Sequence, residues 1–184
     1  MPTRSCSRLV LACALAAAHL AAMAQGAGPA PRVDASVAAQ NRTALAIRTP
    51  AGRSYRVEVA RDARVAPQSE PQEVQVVATV GDPAAITALV LRDSYPSIPQ
   101  GMSRCQAGQE AFVRVIALGR ETAREIFKAK LESCLDDVET LSGSAGLAWF
   151  PEVSTLRLHW LSGPEPGQRD QVKIFRVPAA APRP

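Results

Sequence analysis

The thirty residues from Cys105 to Cys134, CQAGQEAFVRVIALGRETAREIFKAKLESC, decide the fold. A largely apolar run, 110–118, ends at Gly119-Arg120, and a Gly-X pair is typical of a two-residue hairpin turn. The residues after the turn are ambiguous. A capping-box pattern at 122–125 and apolar residues at helical spacing favour a helix over 122–141, but the same residues also alternate as in a strand.

The two cysteines favour the strand. Folding the chain back at Gly119-Arg120 sets three pairs opposite one another: Arg114 with Glu125, Phe112 with Phe127, and Cys105 with Cys134. A helix rises only about 1.5 Å per residue against about 3.3 Å for a strand, so it would stop short of Cys105. We therefore predict a strand over 122–133 paired with 109–118, and a disulfide between Cys105 and Cys134.

Short apolar runs, separated by most of the 15 prolines and 11 glycines, fill the rest of the chain. Residues 55–59 and 74–80 alternate apolar and polar side chains, as half-buried strands do. Turn signals at 49–52 and 81–83 predict hairpins. We predict a mainly β domain, an antiparallel β-sandwich or partly open barrel of about eight to nine strands, with a helix at 122–141 as the alternative.

The N-terminus has the pattern of a secretory signal peptide over residues 1–24. Arg4 and Arg8 precede an apolar run of 14 residues, Leu9–Ala22, and Ala22-Met23-Ala24 resembles a cleavage site. The run is shorter than the ~20 residues of a membrane-spanning helix, so we expect no transmembrane anchor after cleavage and a periplasmic or secreted location. The sequence then predicts a flexible N-terminal segment (25–43), a single β-rich domain (44–177) and a flexible tail (178–184).

Charge and composition narrow the class of partner. Two arginines and no acids leave with residues 1–24, so the formal net charge falls from +4 to +2. The remaining charges are mixed in sign, which gives no electrostatic footprint for nucleic acid. Composition rich in Ala, Pro, Gly and Arg favours a bacterial periplasm. We expect the partner to be a protein or a component of the cell envelope.

The sequence shows little that indicates catalysis. His159 is the only histidine after residue 24, and it lies on the polar face of a predicted strand. No G-x-S-x-G, P-loop or G-x-G-x-x-G pattern occurs. Two cysteines and one histidine are too few for a zinc site, and the acids at 136–139 fit a polar turn better than a calcium loop. We therefore assign no catalytic residue, metal or cofactor.

The longest irregular connection, residues 93–108, is the candidate contact segment. Loops of this length are usually functional or disordered. It carries four residues of the types common in interfaces: Tyr95, Ile98, Met102 and Arg104. The leading hypothesis is an exported, non-enzymatic binding module that uses this loop, although Tyr95 and Ile98 can also simply pack on the sheet edge.

Two other functions remain open. One is a secreted hydrolase in which His159 acts with a serine such as Ser94, Ser97 or Ser103. The other is a structural subunit of an envelope assembly, which would pair through an exposed strand edge.

Export should remove residues 1–24 and leave Gln25 as the new N-terminus, because Ala22 and Ala24 supply the small residues at the cleavage site. N-terminal sequencing and intact mass of the exported protein measure this. A mature chain that begins at a lipid-modified Cys13 would contradict the prediction.

Overall fold

The computed structural model describes residues 30–39, 41–98, 108–165 and 167–178. Within them are eleven strands and two 3₁₀ turns, Gly143–Ala145 and Pro151–Val153. The strands in chain order are β1 (Arg32–Ala39), β2 (Arg42–Arg48), β3 (Ser54–Ala60), β4 (Glu73–Val80), β5 (Ala88–Pro96), β6 (Gln109–Leu118), β7 (Ala123–Ser133), β8 (Glu139–Thr140), β9 (Leu147–Phe150), β10 (Thr155–Ser162) and β11 (Arg169–Arg176).

The strands form three antiparallel sheets. The first sheet has the order β1-β2-β3, and the central sheet has the order β4-β5-β6-β7. The third sheet has the order β11-β10-β8, with β9 also paired to β10. The prediction of a mainly β, antiparallel sandwich is therefore confirmed, although the described strands outnumber the expected eight to nine.

The central sheet is buried on both of its faces. One core packs the first sheet against one face, with Leu45 and Ile47 meeting Leu89, Leu91 and Ile116. A second core packs the third sheet against the other face and includes these residues: Val90, Val113, Val115, Leu156, Leu158 and Trp160. A strand covered on both faces has no polar face. This is why β6 reads as a nearly continuous apolar run and not as a simple alternation.

β7 is the segment for which the sequence left strand and helix open. It is a strand of 11 residues paired with β6, so the strand is confirmed and the helix at 122–141 is wrong. Helical propensity was overridden because the strand gains a backbone ladder with β6 and packs Phe127 and Ala129 against the second core.

The predicted register of this hairpin is wrong. Leu118 lies opposite Ala123, and Gly119 donates its N–H to the carbonyl of Thr122 at 2.8 Å, so the central residues of the turn are Arg120 and Glu121 and not Gly119 and Arg120. Two bulges shift the pairing further along the strands. As a result Phe127 lies opposite Val115 and Glu125 lies opposite Ile116.

Two other boundaries differ from the sequence analysis. The segment 25–43, expected to be flexible, contains β1, whose Val33 and Ala35 pack on the first core. The start of the predicted loop, 93–96, belongs to β5 and pairs with β6. The hairpins at 49–52 and 81–83 are confirmed by the antiparallel pairs β2–β3 and β4–β5. The predicted signal peptide lies outside the described residues.

Two leucines of β10 allow the core to be tested within one strand. Leu158 is fully buried, whereas Leu161 is 44% exposed. We expect Leu158→Ala to lower the free energy of unfolding by about 2–5 kcal/mol, because it leaves a cavity between the central and third sheets. Leu161→Ala should cost no more than about 0.5 kcal/mol. Urea unfolding of both variants measures the difference, and equal losses would contradict this packing.

Candidate functional site

A buried cluster of polar side chains lies between the first and central sheets. The odd-numbered residues of β5 and the even-numbered residues of β6 face the first sheet, which directs Asp93, Tyr95 and Arg114 into the interior. The Arg114 Nε lies 2.8 Å from Asp93 Oδ2, and both side chains are almost fully buried. The Tyr95 hydroxyl donates to the same Asp93 oxygen at 2.6 Å.

The first sheet supplies the other members of this cluster. Thr43 of β2 is fully buried, and its hydroxyl lies 3.0 Å from the Tyr95 hydroxyl. Arg61, directly after β3, donates from Nε to the Thr43 hydroxyl at 2.9 Å. Its guanidinium also lies 5.3 Å from the centre of the Tyr95 ring. We call these five residues, Thr43, Arg61, Asp93, Tyr95 and Arg114, the interior polar cluster.

β7 closes the cluster at its edge. Glu125 Oε2 lies 2.5 Å from Arg114 Nη1, because the two side chains are diagonal neighbours on one face of the hairpin. Arg114 Nη1 also donates to the carbonyl of Ala60 at 3.2 Å. Lys128 donates to the same carbonyl and lies 4.6 Å from the centre of the Phe112 ring. The cluster thus connects strands of two sheets.

A second group of polar residues, four of them charged, lies where the chain leaves β5 and enters β6. Lys130 Nζ lies 2.5 Å from Asp136 Oδ2 and 3.6 Å from Glu110 Oε2. Arg64 Nε contacts Asp136 Oδ1 at 2.8 Å, and the Ser97 hydroxyl donates to Glu110 Oε1 at 2.8 Å. We call these residues, Arg64, Ser97, Glu110, Lys130 and Asp136, the loop-base cluster.

Burial and neighbouring charges shift the pKa values of both clusters. Burial and the adjacent Asp93 carboxylate raise the pKa of Tyr95, so its hydroxyl stays protonated and donates. Burial would lower the pKa of Arg114, but Asp93 and Glu125 outweigh it and raise that pKa. Burial and the charge of Arg114 lower the pKa of Lys128.

Ion pairs hold the charged residues of the loop-base cluster together. Burial would raise the pKa of Asp136, but its bond to Lys130 and the charge of Arg64 outweigh it and lower that pKa below the ordinary 3.8. The resulting stabilisation is complete above the ordinary pKa and is lost as the pH falls through the lowered value. Burial would lower the pKa of Lys130, but Asp136 and the nearby acids raise it.

The interior polar cluster also holds buried atoms without a hydrogen-bond partner. They are Nη1 and Nη2 of Arg61, Nη2 of Arg114 and Oδ1 of Asp93. Such atoms carry a desolvation cost, which makes the cluster sensitive to loss of any one member. The cluster consists of guanidinium, carboxylate and hydroxyl groups, and neither a thiol nor an imidazole belongs to it.

Of the four predicted contact residues, the structure describes Tyr95 and Ile98, and the two differ in burial. Tyr95 is fully buried, so its side chain belongs to the interior and not to a contact surface. Ile98 is half-buried, and its N–H donates to the carbonyl of Arg64 at 2.8 Å. Met102 and Arg104 lie outside the described residues, as does Cys105. Cys134 lies in the turn that follows β7.

The structure does not bring His159 together with Ser94 or Ser97, the two candidate serines that it describes. His159 alternates with Leu158 and Trp160, so it points away from the central sheet and contacts Asp170 at 2.6 Å. Ser94 is buried on the face of β5 that the third sheet covers. Ser97 bonds Glu110 in the loop-base cluster. Ser103 lies outside the described residues.

A cleft of about 680 Å³ lies beside the central sheet and is lined by residues of β4, β5, β7 and the segment 139–147. Arg92, in its wall, is held by Glu73 at 2.6 Å and by Glu132 at 3.7 Å. Its charge is therefore already compensated by neighbouring carboxylates.

The residues that sequence reasoning missed are Thr43, Arg61, Asp93 and Arg114. One signal pointed to them: Arg114 interrupts the apolar run of β6. A charge inside a strand buried on both faces needs a buried counter-charge, which Asp93 supplies.

Comparison with known proteins gives no match. No protein-family model matches the chain, and neither a curated protein nor a solved structure matches it significantly. Among the described residues, no cluster of three or more His, Cys, Asp or Glu side chains is arranged to hold a metal ion. The same residues contain no helix with the length and apolar character needed to span a membrane.

Removing the Asp93 carboxylate should strongly destabilise the fold. We expect Asp93→Ala to lower the free energy of unfolding by about 3–5 kcal/mol, because it leaves the buried Arg114 with a single counter-charge. Glu73→Ala, which breaks the exposed ion pair with Arg92, is the matched control and should cost no more than about 1 kcal/mol. Urea unfolding measures both, and similar losses would contradict a dependence on the interior ion pair.

Proposed function

We propose that the protein is an exported, non-enzymatic interaction module of the bacterial envelope. Its contact segment is the part of 93–108 that lies beyond β5. The observation that carries the proposal is how both ends of this segment are held: Ser97 donates its N–H to the carbonyl of Gly108 at 2.9 Å. Binding residues are often presented on loops whose ends are fixed to a rigid scaffold.

The loop-base cluster supports this proposal. Ser97 is bonded to Glu110 at the start of β6, and Glu110 lies near Lys130 of β7. The chain therefore leaves and re-enters the sheet beside buried or half-buried side chains that restrict its position. A segment with restricted ends loses less conformational entropy on binding than a free one.

The contact residues of the proposal are Ile98, Met102 and Arg104, since Tyr95 is buried. We include the Cys105–Cys134 disulfide in the proposal. It is supported by the pairing of Ser133 with Glu110, which places Cys134 at the sheet end where the segment meets β6. In the chain-entropy model a closed loop of about thirty residues stabilises a fold by about 3–4 kcal/mol.

The two other functions differ in support. The hydrolase has little support, because the side chains of His159, Ser94 and Ser97 point into different parts of the structure. The structural subunit is a second candidate, and one observation favours it. β11 is an outermost strand of the third sheet, and two of its apolar side chains are exposed.

Changing the contact segment should abolish partner capture. We expect mature protein carrying Met102→Ala with Arg104→Ala to lose its partner by more than tenfold, because anchors of these types are worth about 2 kcal/mol each. The measurement is quantitative mass spectrometry of proteins captured from periplasmic extract of the source bacterium by immobilised wild type and variants.

Two controls keep this test specific. Val153→Ala with Arg53→Ala removes one apolar side chain and one arginine, both exposed and both outside the segment, and it should capture at the wild-type level. His159→Ala should do the same. Retained capture by the segment variant, together with loss in His159→Ala, would overturn the proposal in favour of the hydrolase.

A further inference from the structure

β11 has a free edge among the described strands and exposes apolar side chains there. It pairs only with β10, and Val172 and Ile174 are 53% and 67% exposed. They are the most exposed large apolar side chains in the described parts of the chain. An open strand edge of this kind is a template for pairing with another strand.

Val172 and Ile174 also direct their backbone groups at this edge. His159 of β10 uses its N–H and its carbonyl to bond Gly146 and Leu141, on the side away from β11. In an antiparallel sheet the alternate residues bond in the opposite direction, so Leu158 and its opposite residue Lys173 bond each other. The N–H and carbonyl groups of Val172 and Ile174 therefore point toward the free edge.

We propose that β11 pairs antiparallel with β11 of a second copy of this chain, about a two-fold axis at Lys173. In this register Val172 of each copy lies opposite Ile174 of the other, and Asp170 lies opposite Arg176. The four residues lie on one face of the strand, since Asp170 contacts His159, the residue opposite Val172. Val172, Ile174 and Arg176 direct their backbone groups at the partner, whereas Asp170 has a φ of 53° and contributes its side chain. Such a pairing is isologous and closes as a dimer.

Charge complementarity selects this register over its neighbours. A shift by two residues in one direction sets Asp170 opposite Ile174, and a shift in the other sets Arg176 opposite Val172. Only the proposed register joins apolar with apolar and acid with base along the whole exposed face. This inference develops the second candidate function and does not depend on the contact segment.

Lys173 limits the strength of the pairing. It meets its own copy across the two-fold axis, and like charges directly opposite one another are unfavourable. The Lys173 ammonium lies 5.6 Å from the centre of the Phe127 ring, on the inner face of the sheet. Edge lysines commonly restrain strand pairing, so the dimer should be reversible and Lys173→Gln should tighten it.

Sedimentation velocity of the mature protein over a range of concentrations tests the dimer. The wild type should self-associate, and Ile174→Lys should abolish this, while Val153→Lys, an exposed apolar residue outside β11, should not. Arg176→Asp sets like charges opposite twice per dimer and should weaken association about tenfold. Adding Asp170→Arg to that variant should restore it. Far-UV circular dichroism checks that each variant is folded.

Cross-linking tests the register. Lys173→Cys should form a disulfide between copies, because the axis brings the two positions within the Cα distance that a disulfide needs. Gln171→Cys, on the same face but opposite Phe175, should not. The inference is overturned by a wild type that stays monomeric at about 1 mM, by an Ile174→Lys variant that still dimerises, or by a charge swap that does not recover association. Partner capture by Ile174→Lys reports separately on the contact segment.

Discussion

The ion pair between Arg114 and Asp93 is the interaction on which the rest of the structure depends. Both groups lie in the interface between two sheets, where an unpaired charge would be very costly. Glu125 of β7 and the carbonyl of Ala60 after β3 complete the environment of the arginine. The pair therefore requires the first sheet, β5, β6 and β7 to lie in one relative position. A purely apolar interface would tolerate small shifts more easily.

The same feature explains the distribution of polar groups along the central sheet. Toward one end of β5 and β6 the interface with the first sheet is apolar, with Leu89, Leu91 and Ile116. Toward the other end charged groups join the apolar side chains of Tyr95 and Phe112, first at Asp93 and Arg114 and then at Glu110 with Lys130 of β7. The proposed contact segment begins at this end of the sheet. Ion pairs there can fix the direction of the chain without placing an apolar surface in water.

The candidate site was only partly accessible to sequence reasoning. The segment after β5 was recognised because it lacks periodicity, and Ile98 does lie at its start. Tyr95 was assigned to that segment because strand ends are poorly marked in sequence. Its burial depends on Thr43 and Arg61, which are distant along the chain and become neighbours only when the first sheet packs on β5. The exposed apolar face of β11 was missed for the related reason that its alternation does not show which face is covered.

The sequence by itself determined the mainly β class, and it favoured the pairing of β6 with β7 over a helix without deciding between them. Period-two alternation and turn residues were enough for the class, because each reports on a strand or on one hairpin. Only the tertiary structure decided the hairpin register, the burial of the central sheet on both faces and the interior position of Arg114. These depend on bulges and on contacts between residues far apart in sequence. Local patterns carry no information on which surface a neighbouring sheet will cover, and that covering decides which polar side chains become buried and paired.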